Sequence, residues 1–284
     1  MPLDQMDVDR LGEGEKEGEK EMSFLDHLEE LRWHIIRSIG VIAALGILIF
    51  VFNKFFFDAV IFGPTRSDFI SYKMFCKLSH ALGMGTTMCF EFEDYKLQAI
   101  QFAETFITTI KVSFILGFIF SFPYVFWEIW TFVKPGLYPK ERNAARGIVF
   151  VCSFLFLVGV LFGYFIIAPF ATNFLMTFTL PGVDNSPTLQ SYIGFLVMFT
   201  LPTGLVFELP IVVYFLSKVG LVTPASMRQY RRHSIIGILI LAAVITPPDV
   251  ITQFLIGIPL YVLYELSIFV SARANKAYEA ELDD

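Results

Sequence analysis

Several carboxylate side chains stand inside or beside long apolar stretches of this sequence, among them Glu30, Glu141, Glu208 and Asp249. Glu208 is the most isolated of them, because it interrupts the apolar run FTLPTGLVFELPIVVYF at residues 199–215. A carboxyl group in such surroundings can pair with a guanidinium group, carry a proton, or form hydrogen bonds with backbone groups that a proline leaves free. The chemistry that the sequence offers is therefore ion pairing and proton binding in apolar surroundings.

No catalytic motif accompanies these carboxylates. The sequence contains no G-x-S-x-G nucleophile turn, no H-E-x-x-H metal motif and no glycine-rich phosphate loop that ends in Lys-Ser or Lys-Thr. The histidines are scattered rather than clustered: His27, His34, His80 and His233. The sequence therefore predicts a protein that is not an enzyme and that uses no cofactor.

The carboxylates are positioned by apolar segments that are long enough to cross a bilayer. Hydrophobic residues make up 55% of the chain and phenylalanine occurs 33 times, which departs from the composition of soluble domains. A spanning helix needs about 20 apolar residues, and six segments are candidates: residues 35–52, 106–133, 147–170, 192–216, 234–246 and 251–270. The fifth reaches only roughly 20 Å at helical rise. The predicted fold is all-α, with six transmembrane helices of which the fifth and sixth are short.

The distribution of lysine and arginine predicts the orientation of the spans. These residues flank the first span and recur at 134–146, 218–232 and 273–276, whereas residues 171–191 and 246–250 contain none. Both termini are therefore predicted to face the cytoplasm.

Three regions follow from this layout. Residues 1–22 hold most of the net charge of −6 and are predicted to be a disordered acidic tail. Residues 23–272 form one transmembrane domain, and residues 273–284 a cytoplasmic tail. Because the rest of the chain is nearly neutral, charge indicates no nucleic-acid partner.

Two cysteines, Cys76 and Cys89, fall in the long extracytoplasmic segment 53–105, and Cys152 lies inside the third span. An extracytoplasmic compartment allows a Cys76–Cys89 disulfide, and free thiols remain the alternative. The spacing of this pair matches no usual zinc pattern. The sequence therefore predicts no metal site.

Two cytoplasmic segments carry the remaining carboxylates. In SFLDHLEELRWHIIRSI, residues 23–39, one helical face carries Phe24, Leu28, Leu31 and Ile35 and the other carries Asp26, Glu30, His34 and Arg37. This amphipathic helix is predicted to lie along the membrane interface, where Glu30 could simply face water and pair with His34. Glu141 follows Pro139 near a helix start, where a carboxylate complements the helix dipole by about 0.3–1 kcal/mol.

Five motifs together resemble the TatC family: HLEELRWHII, QFAETFITTIKVSF, FPYVFWEIWTFVKPGLYPKERN, FELP and TPPDVITQ. They occur in the family's order over nearly everything after Met22, whereas the acidic tail and the enlarged first extracytoplasmic loop depart from the pattern. The family is the polytopic receptor component of the twin-arginine protein translocase.

The resemblance implies a receptor in the bacterial cytoplasmic membrane that binds twin-arginine signal peptides. With TatA-type and TatB-type single-span partners, and with further copies of itself among the membrane lipids, it would export folded proteins by using the proton-motive force. The family's signal-peptide site falls on Glu30, Phe132 and Glu141.

Two roles remain open for Glu208 and two for Asp249. Glu208 lies roughly 15 Å from the cytoplasmic border of its helix, where it could hydrogen-bond backbone groups freed by Pro202 or Pro210; the resemblance favours a polar groove that docks a partner's transmembrane helix. Asp249 could cap helix six, or support translocation at the extracytoplasmic face. A small-solute transporter in which Glu208 carries protons is the alternative function.

Overall fold

The computed structural model is almost entirely helical. It describes residues 24–81, 83, 85, 86, 89, 97–133, 145–178, 180–182, 186–246 and 250–282. Within these ranges there is no β-strand, and Gln98 and Thr188 form an isolated bridge. The predicted all-α class is confirmed. The acidic tail lies outside the described residues.

Eleven α-helices follow one another along the described parts of the chain. They are α1 (Phe24–Val51), α2 (Asn53–Phe56), α3 (Ile70–Ala81), α4 (Glu104–Val133), α5 (Ala145–Phe162), α6 (Ala168–Thr177), α7 (Leu189–Val206), α8 (Leu209–Lys218), α9 (Pro224–Gln229), α10 (Arg231–Ile245) and α11 (Val250–Leu282). A π-helical turn, Gly163–Ile167, joins α5 to α6, and a short break at residues 207–208 separates α7 from α8.

Five helical segments are long and apolar enough to cross a membrane: His27–Val51, Glu104–Val133, Gly147–Thr177, Leu189–Lys218 and Thr252–Lys276. Among the remaining helices, α10 has 15 residues and corresponds to the short fifth span that the sequence predicts. The described helices are thus consistent with six spans.

The last helix is longer than predicted. α11 contains 33 residues and continues through residue 272, where a separate tail was expected to begin. Pro259 lies inside the helix without ending it. Residues 271–282 contain four alanines and neither glycine nor proline, so nothing in this segment opposes the helical conformation.

α1 and α4 pack antiparallel and very closely. A side-chain carbon at Gly117 of α4 would lie 2.9 Å from the backbone nitrogen of Gly46 and 2.9 Å from the carbonyl oxygen of Ile42 in α1. Small residues allow helix backbones to approach in this way in membranes. The close crossing brings the start of α1 beside the end of α4.

At the opposite end, Glu104 ties the first turn of α4 to the start of α7. Its carboxylate accepts the backbone N–H groups of Ile100 at 2.8 Å, Gln101 at 3.1 Å and Gln190 at 2.9 Å. Three backbone donors satisfy the charge of this buried group. Glu104 therefore holds the second and fourth spans together at this end of the bundle.

Candidate functional site at the junction of α1 and α4

Aromatic stacking joins the start of α1 to the end of α4. The ring of His27 stacks on Phe132, with centroids 4.3 Å apart and planes inclined by 15°. His34, about two turns further along α1, approaches the edge of Phe132 at 6.1 Å. Because His34 also lies beside Glu30, the structure brings two of the three predicted signal-peptide residues around one histidine.

A buried acid–histidine pair fixes that histidine. The Nδ1 atom of His34 contacts Glu128 Oε2, and both residues are almost fully buried. The other oxygen of Glu128 accepts a hydrogen bond from the Tyr124 hydroxyl at 2.5 Å, and Arg37 lies 3.9 Å from Oε2. Each oxygen of Glu128 thus has a polar neighbour. A buried carboxylate with this set of partners holds α1 and α4 in register.

The orientation of α1 differs from that predicted. Leu28 and Ile35, on the predicted apolar face, are 45% and 48% exposed on the protein surface, as residues that face lipid are, whereas His34 on the polar face is buried in the protein. The reason is that the surroundings of a membrane helix are apolar, so the polar partner Glu128 lies inside the bundle. The amphipathic segment leads directly into the first span, and the two form one continuous helix, α1.

Glu30 keeps unused capacity to accept hydrogen bonds. Its Oε1 atom lies 3.9 Å from His34 Nε2, which is longer than a hydrogen bond. Its Oε2 atom is buried and has no hydrogen-bond partner in the described part of the chain. A carboxylate has about four acceptor positions. Glu30 therefore offers a charged acceptor three residues along α1 from His27, whose ring stacks on Phe132.

Two predicted site residues, Glu141 and Asp249, lie outside the described residues, in the segments 134–144 and 247–249. The extracytoplasmic pair Cys76 and Cys89 forms a disulfide, with Cα atoms 4.3 Å apart.

Glu208 lies at the break between α7 and α8 and is enclosed by protein. It is 9% exposed, and neither carboxylate oxygen has a hydrogen-bond partner among the described residues. The buried thiol of Cys152 and the backbone of Phe156 are its neighbouring polar groups, although neither forms a hydrogen bond of ordinary geometry with the carboxylate. Because Glu208 makes no side-chain cap to α8, the structure gives no support to the interpretation that it satisfies backbone groups freed by the prolines.

Sequence reasoning missed Glu128 and the inward position of His34. The signal was present, since Glu128 is a carboxylate within the apolar segment 106–133, as Glu208 is within its own span. A carboxylate inside a membrane needs a polar or oppositely charged partner. The first span supplies His34 and Arg37 within reach of it.

Comparison with known proteins identifies the family of this arrangement. The family model described as "Sec-independent protein translocase protein (TatC)" matches residues 26–259. The chain belongs to the TatC family. A TatC relative from Blattabacterium sp. subsp. Periplaneta americana is 38% identical over 263 residues, which cover 92% of this chain and 99% of the relative. A TatC relative from Helicobacter pylori is 35% identical and is covered, like this chain, to 88%.

Two crystal structures of the twin arginine translocase receptor TatC share this fold at 30% identity. The TM-scores are 0.63 and, for the structure in DDM, 0.66. The match covers 87% and 86% of this chain and 99% of each solved chain. Together with the apolar spans, membership of the TatC family makes this chain a multi-pass protein of the bacterial inner membrane.

Proposed function

We propose that this chain is the receptor of a twin-arginine translocation system. It binds twin-arginine signal peptides at the junction of α1 and α4 and, with TatA-type and TatB-type partners, passes folded proteins across the membrane. The observation that carries the proposal is the carboxylate of Glu30, which has one buried oxygen without a hydrogen-bond partner in the described chain. This carboxylate lies 3.9 Å from His34, whose ring approaches the edge of Phe132. Family membership favours this receptor over a small-solute transporter.

The chemistry of this junction suits arginine. A guanidinium group is planar, presents five donors and pairs with a carboxylate through two parallel hydrogen bonds. The same plane stacks on aromatic rings, and the ring of Phe132 already stacks with the flat ring of His27. A lysine ammonium group supplies the charge but cannot form the two parallel hydrogen bonds. The junction should therefore prefer arginine to lysine.

Two arginines require two acceptors. Glu30 is the first, and we assign the second to Glu141, in the loop that follows α4. An even number of predicted crossings separates the two residues, which assigns both to the same membrane face. Each charge-assisted contact contributes about 1.5–3 kcal/mol, and losing one should weaken binding about tenfold or more.

The test compares a twin-arginine signal peptide with its twin-lysine variant. Affinity or site-specific photocrosslinking is measured on the full chain in native membranes and normalised to folded protein. Glu30→Ala and Phe132→Ala should reduce the preference for arginine, and Glu141→Lys should reduce it most because it adds repulsion. Glu29→Ala, an exposed neighbour on α1, is the matched control and should retain the preference.

One outcome contradicts the assignment directly. If Glu30→Ala, Phe132→Ala and Glu141→Lys all keep the wild-type preference for arginine, the recognition site lies elsewhere. If binding falls only in proportion to the amount of folded protein, these residues support the fold and do not contact the peptide.

A further inference from the structure

The enlarged extracytoplasmic loop contains a second cluster of reactive side chains. His80 lies next to the disulfide, with its Nε2 atom 3.8 Å from Cys89 Sγ. The ligand atoms of Cys76, His80 and Cys89 all lie within 4.8 Å of one another. The spacing of the two cysteines alone predicts no metal site. The structure adds a third donor to them.

Local geometry explains why these three residues meet. Cys76 and His80 are four residues apart on α3, so their side chains lie on the same helical face. After α3 the chain turns back through two glycines with positive φ, Gly83 at 72° and Gly85 at 63°. Glycine adopts this conformation without steric cost. The turn is what allows Cys89 to return to the helix.

Hydrogen bonds hold the returning chain in addition to the disulfide. The Ser79 hydroxyl donates to the Gly85 carbonyl at 2.8 Å. The Cys89 N–H donates to the Thr86 carbonyl at 2.9 Å. These bonds do not involve sulfur. We therefore expect Cys89 to stay close to α3 when the disulfide is opened.

α3 itself is anchored to the transmembrane bundle. Phe75 packs against Phe170 of α6, with ring centroids 4.8 Å apart. The Tyr72 hydroxyl donates to the Pro64 carbonyl at 2.7 Å. Cys76 and His80 thus project from a fixed helix, which is how proteins hold metal ligands in place.

We propose that Cys76, His80 and Cys89 bind one Zn²⁺ ion when the disulfide is reduced. Two thiolates and one imidazole are ligands that zinc prefers, and three protein ligands leave a fourth tetrahedral position for water. His80 is exposed and both cysteines are partly exposed, so the ion can reach them from the extracytoplasmic side. The disulfide and the zinc ion are mutually exclusive occupants of the cluster.

The interconversion balances as a thiol–disulfide reaction. A dithiol reductant delivers two electrons and two protons to the Cys76–Cys89 disulfide, which becomes two thiols, while the dithiol becomes a disulfide. Zinc binding then releases the two thiol protons, because thiolates are the ligands. Re-formation of the disulfide transfers two electrons to a disulfide-containing oxidant and expels the ion.

The experiment uses the full chain in detergent, in its oxidised form and after reduction with a phosphine. Zinc retained after gel filtration is measured for both, and Co²⁺ substitution is followed by its thiolate charge-transfer absorption. The reduced chain should retain one zinc ion and the oxidised chain none. His80→Ala should weaken zinc binding more than about tenfold, since even indirect supporting residues contribute that much.

Matched controls separate this cluster from the other thiol and from other histidines. Cys152→Ser and His233→Ala should bind zinc as the wild type does, whereas Cys76→Ser should lose binding. Unchanged gel-filtration profiles show that each variant is folded. Equal zinc retention by the oxidised and reduced chains, or wild-type affinity in His80→Ala, would overturn the proposal.

Discussion

Replacing Glu30 with alanine should weaken signal-peptide binding and leave stability almost unchanged. Its buried Oε2 has no hydrogen-bond partner in the described chain, and an unsatisfied acceptor costs about 1–3 kcal/mol. Because the side chain is 34% exposed, the lower end of that range applies. Removing the carboxylate recovers about 1 kcal/mol, while losing a buried methylene costs about 0.8 kcal/mol. The free energy of unfolding should therefore change by less than about 1 kcal/mol.

Binding should respond differently from stability. The carboxylate forms a charge-assisted contact only when a guanidinium group arrives, and losing that contact should raise the Kd about tenfold or more. Fluorescence anisotropy of a labelled twin-arginine peptide measures the Kd on full-length protein in detergent. Denaturant unfolding of the same preparation measures stability.

Two results would refute this reasoning. A loss of about 2 kcal/mol or more in unfolding free energy would show that Glu30 already has partners that stabilise the fold. An unchanged Kd with unchanged stability would show that the peptide does not use this carboxylate. Glu29→Ala, which removes a neighbouring exposed carboxylate, controls for the general loss of negative charge.

Three further carboxylates give contrasting expectations. Glu128→Ala leaves His34 without its buried partner and should lower the unfolding free energy by about 3 kcal/mol; an unchanged midpoint contradicts this. Glu104→Gln replaces an acceptor oxygen by a donor and should accelerate hydrogen exchange at the Gln190 amide. An exchange rate equal to that of the wild type would show that Glu104 does not hold α4 to the start of α7. Glu208→Ala should leave membrane insertion intact but weaken partner crosslinking or export, and normal values of both would remove Glu208 from that role.

Much of the fold could be predicted from the sequence because membrane spans are a local property. Length and apolarity of a segment decide whether it can cross a bilayer, so the spans follow from composition alone. The ends of helices are harder to predict from the sequence than the spans are. α11 continues beyond its apolar part, since helix formation in residues 271–282 depends on propensity rather than on hydropathy.

The candidate site was only partly predictable. Glu30 and Phe132 followed from the family resemblance, whereas the pairing of His34 with Glu128 joins residues 94 positions apart. Periodicity assigned His34 correctly to the polar face of its helix. It could not say that this face would turn inward, because that depends on a carboxylate contributed by another helix.

Hydrogen-bond accounting distinguishes these carboxylates more clearly than burial does. Glu104 and Glu128 are both buried and have polar partners on both oxygens. Their carboxylates therefore already have partners and serve to hold helices together. Glu30 and Glu208 each have at least one buried oxygen without a hydrogen-bond partner in the described chain. A fold gains nothing from an unsatisfied charge, and strained or unsatisfied groups concentrate where a protein meets its ligands. The two carboxylates that the fold leaves unsatisfied are therefore the ones to test with a signal peptide and with a partner helix.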